Sequence, residues 1–331
     1  MDKIFKRTLL GAAVSAVALS GASNAAIDLN GKAVQFYGQA AGFIEIADSG
    51  AELKDTKVNA VIESRVGFKG EVEFEDFGPN LLWQIEGGNA DNQGFAADKP
   101  WTHVNNGQLG ARDTFLGLSF DGVGSFKYGR QLVAAYNYVD WPHSNPGLGN
   151  VFDWNQDIGA GFQDRADNVI RFDSATFNGF NFQATLSGME SDTKDVVTSV
   201  GASFSKEKFS VHGGYYNQNE AKLSYGIVGG SVFLGDLTLT GAYKAMNNDS
   251  VKQNAISATA QYIIDSKWVL KGGYASTDDA TGKKDSGDIA VTARLGYLLP
   301  STYLFLDSRN YKMDNAKDWD NRILAGVEYY F

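Results

Sequence analysis

The chain has 331 residues, with 29 Lys and Arg against 39 Asp and Glu, 38 Gly, five Pro and no Cys. The lack of cysteine excludes a disulfide framework and thiolate metal sites, and the acidic balance argues against a nucleic-acid partner. Mean hydropathy is −0.25, a value typical of soluble proteins, but strands that alternate polar and apolar residues give the same average.

At the N-terminus Lys3, Lys6 and Arg7 precede an apolar run from Thr8 to Leu19, and Ser23 and Ala25 stand at the minus-three and minus-one spacing of a cleavage site. This pattern predicts a secretory signal peptide over 1–25 and a mature domain over 26–331. The apolar run falls short of the roughly 20 residues a spanning helix needs. Cleavage takes Lys3, Lys6, Arg7 and Asp2 from the 29 bases and 39 acids and leaves a net charge of −12. A glycine- and aromatic-rich exported chain without disulfides points to the outer membrane of a bacterium.

Period-two alternation then runs through the chain. Val58, Ala60, Ile62, Val66, Phe68, Val72 and Phe74 alternate with Asn59, Glu63, Arg65, Lys69, Glu71 and Glu73, which is strand patterning that no helix produces. Candidate strands lie near 33–46, 57–74, 79–88, 112–120, 124–130, 166–174, 179–188, 196–206, 208–217, 222–234, 236–247, 252–264, 266–275, 286–298, 301–312 and 321–331. These sixteen segments suit a closed antiparallel barrel wide enough for an aqueous channel, whereas a soluble sandwich would alternate over a finite core. Tight turns such as Leu234-Gly235-Asp236 and Leu299-Pro300-Ser301 take turns with longer polar loops, as periplasmic turns and external loops do. In the first strand Phe36 and Ile44 oppose Tyr37 and Phe43 in parity, which predicts protein packing on both faces there and an interface near the barrel seam. One connection, 131–165, is far longer than a hairpin loop and carries Tyr136, Tyr138, Trp141, Phe152, Trp154 and Phe162. An aromatic-rich loop of this length is built for order, and in a wide barrel it has room to fold inward. At the C-terminus Ile323, Ala325, Val327, Tyr329 and Phe331 alternate to the last residue, so Tyr329 and Phe331 are candidate membrane-assembly signals on a strand that must pair with the first.

Several blocks carry a family resemblance. Ser64-Arg65-Val66-Gly67-Phe68-Lys69-Gly70, Ala111-Arg112-Asp113-Thr114-Phe115-Leu116-Gly117-Leu118 and Gly122-Val123-Gly124-Ser125-Phe126-Lys127-Tyr128-Gly129-Arg130 resemble successive segments of the enterobacterial-type general diffusion porins. Phe36-Tyr37-Gly38, Asn168-Val169-Ile170-Arg171-Phe172, Asn178-Gly179-Phe180-Asn181-Phe182 and Phe331 extend the match in the right order. The resemblance implies an all-β, 16-stranded antiparallel transmembrane β-barrel with an inward-folded third external loop. It further implies a homotrimer in contact with lipopolysaccharide and outer-membrane lipid, passing small hydrophilic solutes and ions passively and without a cofactor.

By the same resemblance, arginines on the barrel wall face carboxylates on the inserted loop and set a transverse field across the pore. The matching wall positions here are Arg65, Arg112 and Arg165, and Lys69 lies two strand repeats beyond Arg65 on the same face; on the loop Asp140 is the candidate acidic partner, with Asp153 and Asp157 as replacements or as solvated charges. The alternative is that these arginines only hold the fold together. Two departures stand out: Gln39 replaces a wall lysine common in the family, and the loop's proline-glutamate-phenylalanine-glycine-glycine motif is missing, with His143 near the expected glutamate. The net negative charge predicts a weak cation preference. Tyr136 and Trp141 are candidates for stacking on sugars in an oligosaccharide-preferring channel, or for packing the loop on the wall. His143 reads either as a titrating charge or as a turn contact. His103, His143 and His212 show no ligand spacing, and neither a nucleophile elbow nor a phosphate loop is present. A barrel enzyme with rim Ser, His and Asp is the remaining alternative, and it requires no long inserted loop.

Overall fold

The computed structural model describes residues 26–48, 56–88, 108–143, 157–159, 161–189, 195–314 and 316–331; for 139–143 it describes the backbone alone. The predicted signal segment, Asp153 and Trp154 therefore lie outside the described residues. Among the described residues eighteen strands form one antiparallel sheet: β1 (Ile27–Asn30), β2 (Val34–Asp48), β3 (Thr56–Ile62), β4 (Arg65–Phe74), β5 (Phe77–Gly87), β6 (Leu109–Phe120), β7 (Gly124–Leu132), β8 (Arg165–Ser174), β9 (Phe180–Ser187), β10 (Val197–Lys206), β11 (Phe209–Gln218), β12 (Leu223–Leu234), β13 (Leu237–Asn248), β14 (Val251–Ile264), β15 (Trp268–Thr277), β16 (Ile289–Leu299), β17 (Thr302–Lys312) and β18 (Asp320–Tyr330). One helix, α1 (Ala134–His143), follows β7. No helix among the described residues is long and apolar enough to cross a membrane.

These strands make a closed sixteen-stave barrel. β3 and β4 are two halves of one stave, since β2 pairs with both, Gly42–Asp48 with β3 and Gln35–Gln39 with β4. At the break the Ala41 amide donates to Ser64 Oγ at 3.2 Å and the Glu63 amide to Ala41 O at 2.9 Å, so these three backbone groups keep partners where the ladder is interrupted. β1 is a short flap that turns at Gly31 (φ 54°) and pairs with the start of β2. Closure comes from β18 on β2, Asn321 opposite Asp48 through Tyr330 opposite Gln39. Phe331 completes it by exchanging hydrogen bonds with Gly38, at 2.7 and 3.1 Å. A closed ring leaves no edge, which is what a lipid environment demands of a sheet.

The alternation sorts the two faces. Val58 (68% exposed), Leu116 (63%) and Val228 (53%) belong to an apolar outer surface that extends around the ring, an arrangement that water would penalise and hydrocarbon rewards. Toward the short-turn end the outer face becomes a girdle of touching rings, with Phe126 against Phe172 at 4.6 Å, Phe172 against Phe182 at 5.6 Å, Trp268 against Tyr297 at 4.7 Å and Phe36 against Phe331 at 5.5 Å. Tyr329 lies 6.0 Å from Phe331 in the same girdle. Such a belt marks the membrane–water interface. The mixed parity of β2 is accounted for within the chain: Phe36 packs outward on Phe68 and Phe331, while Phe43 packs inward with Val269, Tyr303, Phe305 and Leu324. Loop lengths depart from the predicted alternation at 219–222 and 249–250, where connections on the long-loop side are as tight as those opposite.

Candidate functional site

The long connection between β7 and β8 covers 133–164, since Gln131 and Leu132 end β7 and Arg165 begins β8. Its described ends pack against the faces of β9 to β14 opposite to the lipid-facing ones. Val133, Ala135 and Ile158 join Ala166, Val169, Val197, Tyr216, Tyr225, Ile227, Met246, Ala255 and Ala280 in a buried apolar cluster, with Tyr136 and Phe162 packed against it. Phe162 meets Tyr225 edge-on at 5.0 Å, and Tyr216 stacks on Tyr225 at 5.1 Å. Polar hooks fix the rest: Asn248 Nδ2 donates to Ile158 O (2.7 Å), the Gln163 amide to Tyr216 Oη (3.2 Å) and Tyr138 Oη to Asn181 Oδ1 (2.6 Å). Sequence reasoning did not foresee this cluster, because its members sit on separate strands. Its signal was the run of apolar residues at inward parity near the loop ends of β10 to β14, where polar residues were expected.

The four predicted wall cations come together on β4, β6 and β8. Arg65 donates twice to Gln39 Oε1, at 3.1 and 2.9 Å, so the glutamine that replaces a family lysine serves as its acceptor. Arg112 pairs with the buried Glu86, which also accepts from Tyr37 Oη at 2.8 Å and Gln84 Nε2 at 3.2 Å. The register of β5 on β6 slips between Ile85 and Gly87. At that bulge successive residues Arg112 and Asp113 both find inward partners, Asp113 accepting from Arg165 Nε at 2.7 Å. Lys69 Nζ stands 5.1 Å over the Tyr37 ring. The carboxylates engaged here, Glu86 and Asp113, thus belong to the wall, and sequence reasoning named neither as a partner. Of the predicted loop residues, Asp140, Trp141 and His143 lie on α1, with side chains outside the description; Asp153 lies outside it altogether.

Two more charged groups complete the geometry. Lys127 and Arg171 each bind Asp173 at 2.9 Å, and Arg294 grips Asp307 with two hydrogen bonds of 2.6 and 2.7 Å while Arg309 adds two more at 3.3 and 2.9 Å. Outside the membrane-spanning strands, Asp157, Asp288 and Asp314 bring carboxylate oxygens within 4.8 Å of one another and tie three external loops together. Burial, assisted by the neighbouring Asp157 and Asp314 carboxylates and opposed by the Asp314 amide, pushes Asp288 up to about 6. Asp314 is raised as well, by desolvation and by its hydrogen bond to Asp157.

A model of the Gram-negative porin family matches residues 12–316. Chitoporin of Vibrio furnissii is 41% identical over 198 residues, 58% of this chain, and the chain spans half of that relative's length. Outer membrane porin F of Escherichia coli K12 is 25% identical over 99% of this chain and 90% of its own. Among solved structures, an anion-selective porin from Comamonas acidovorans superposes with a TM-score of 0.74 at 18% identity, over 90% of this chain and 99% of that one. Salmonella typhi OmpF in complex with daunomycin gives 0.71 at 18% identity, over 92% and 100%. The closed sixteen-stave barrel, the lipid-facing girdle and the family match lead to one conclusion: this chain belongs to the Gram-negative porins of the bacterial outer membrane.

Proposed function

We propose that this porin is a passive channel for small hydrophilic solutes and ions, weakly cation-preferring, whose constriction is formed by residues 131–165 folded into the lumen against the wall cations Arg65, Lys69, Arg112 and Arg165. The observation that carries this reading is the packing of the loop ends on the inward faces of β9 to β14. In the ring β11 lies seven staves from the stave that holds Arg65 in one direction and nine in the other, so the loop's seat and the cationic wall face each other. Asp140 and Asp153 supply the acidic half of the field. Wall cations temper a cation preference that the net charge of −12 and acidic rim residues such as Asp278, Asp279, Asp285 and Asp318 impose on the entrance.

No covalent chemistry is required of these residues: a transverse field orders water and admits polar solutes that align with it. The Vibrio cholerae OmpT structure is described as a trimer form, which supports the same assembly here, in contact with lipid and lipopolysaccharide. The test is conductance in a planar bilayer under a salt gradient. Unitary steps in threes with a small cation-positive reversal potential are expected; no channel at all would refute the reading and favour a barrel enzyme. A second reading has its own support in the 41% identity to chitoporin, namely an oligosaccharide-preferring channel in which Tyr136 and Trp141 contact sugar rings. Saturable block by chitin oligosaccharides at low concentration would establish it.

A further inference from the structure

We propose that Gly201 and Gly214 form a seat for helix α1, and that this seat, together with two wall hydroxyls, sets how far the loop stands off the barrel wall. The proposal builds on the reading of 131–165 as the constriction. Gly201 of β10 and Gly214 of β11 are direct cross-strand partners. Glycine weakens a strand interior, and two side by side do so doubly unless another element needs the space. Here one does. A Cβ on Gly201 would lie 2.6 Å from Tyr138 Cδ2 and 3.1 Å from the Ala134 carbonyl oxygen; one on Gly214 would lie 3.1 Å from both Cα and Cβ of Ala135. Gly226 on β12, which faces the other side of the wall as the partner of the exposed Tyr215, has nothing within 4 Å of the Cβ it would carry and serves as a control.

The helix side matches this notch. Ala134 and Ala135, both fully buried, are the small residues that let α1 approach backbone to backbone. The first turn of a helix has amide groups without intrahelical acceptors, and the wall provides them: the Ala134 amide donates to Thr185 Oγ1 at 3.1 Å and the Ala135 amide to Ser199 Oγ at 2.7 Å. Thr185 and Ser199 are themselves a cross-strand pair of β9 and β10, so the cap that normally comes from the preceding residue comes from the barrel. Nearer the short-turn end, Tyr138 Oη reaches Asn181. Hydroxyl pair, glycine pair and asparagine thus line one track along which α1 descends. Thr185, Ser199, Gly201 and Gly214 are positioning residues; filling the notch pushes the helix toward the pore axis.

The chain has no cysteine, so an introduced pair is read without background. The Ala135→Cys, Ser199→Cys double variant of the full-length protein, reconstituted in membranes, is expected to cross-link on mild oxidation. Adding Gly201→Val and Gly214→Val is expected to abolish the cross-link, while adding Gly226→Ala leaves it intact. Heat-modifiable electrophoretic mobility verifies that each barrel is folded, and Gly201→Ala alone replaces the valine pair if that pair does not assemble. Failure of the parent double variant to cross-link, or an undiminished cross-link in the folded glycine-filled variant, overturns the proposal. Unitary conductance is recorded on the same preparations without the cysteines. A lost cross-link with reduced conductance supports seat and constriction together, whereas a lost cross-link with unchanged conductance supports the seat and refutes the constriction reading.

Discussion

Arg65 offers the cleanest test of the proposed field, because its acceptor, Gln39, is neutral and its removal orphans no carboxylate. Arg65→Ala deletes one positive charge from the wall. A permeant cation passing roughly 6 Å from that charge feels about 0.7 kcal/mol at the dielectric constant of water. With a Debye length of about 10 Å at 0.1 M salt, roughly half of that survives, about a twofold factor for each ion sign, so the cation-to-anion permeability ratio should rise by about threefold to fourfold, since the same charge attracts anions. At 1 M salt the Debye length falls to about 3 Å and the shift should nearly vanish. The assay is the reversal potential of reconstituted single channels under a threefold salt gradient, at low and high mean concentration. An unchanged reversal potential at 0.1 M, or a shift that persists undiminished at 1 M, would refute the idea that Arg65 acts as a fixed charge beside the ion path.

Arg112→Ala should behave differently, since it leaves the buried Glu86 without its cation; breaking a buried pair costs about 3–5 kcal/mol, so urea unfolding should shift downward and Glu86→Gln should restore part of the loss. On the lipid face, Val228→Arg in the middle of β12 should destabilise the barrel by about 2–4 kcal/mol if it sits at the bilayer midplane, read as a lower unfolding midpoint in lipid vesicles. Asp288 predicts a pH dependence. Its folded-state pKa of about 6 lies above the ordinary carboxylate value of 3.8, so the folded loops bind the extra proton, and their stability falls as pH rises from about 4 through 6. Limited proteolysis of the external loops should therefore be slower at pH 4.5 than at pH 7.5, and Asp288→Asn should remove much of that difference; equal pH dependence in the variant would count against the carboxylate cluster as its source.

What could be read from the chain alone was whatever depends on near neighbours in sequence. Period-two alternation located all sixteen staves, because a strand displays its two environments in successive residues. Arg65 and Arg112 were singled out by the resemblance of their strand blocks to porin segments, and Lys69 by its shared parity with Arg65; alternation alone assigns them a face and no role. The tertiary structure decided what depends on cross-strand register. Glu86 and Asp113 became partners of Arg112 and Arg165 through a bulge opposite Ile85–Gly87 that no local pattern announces. Gly201 and Gly214, thirteen positions apart, are unremarkable strand glycines until β10 and β11 align them beneath Ala134 and Ala135. Likewise the break at Glu63-Ser64 and the helix α1 arise where side chains from distant strands satisfy backbone groups that the local sequence leaves open. Alternation is local information and fixes which face a residue takes; register is a property of paired strands, and it alone determines which residues meet across the wall.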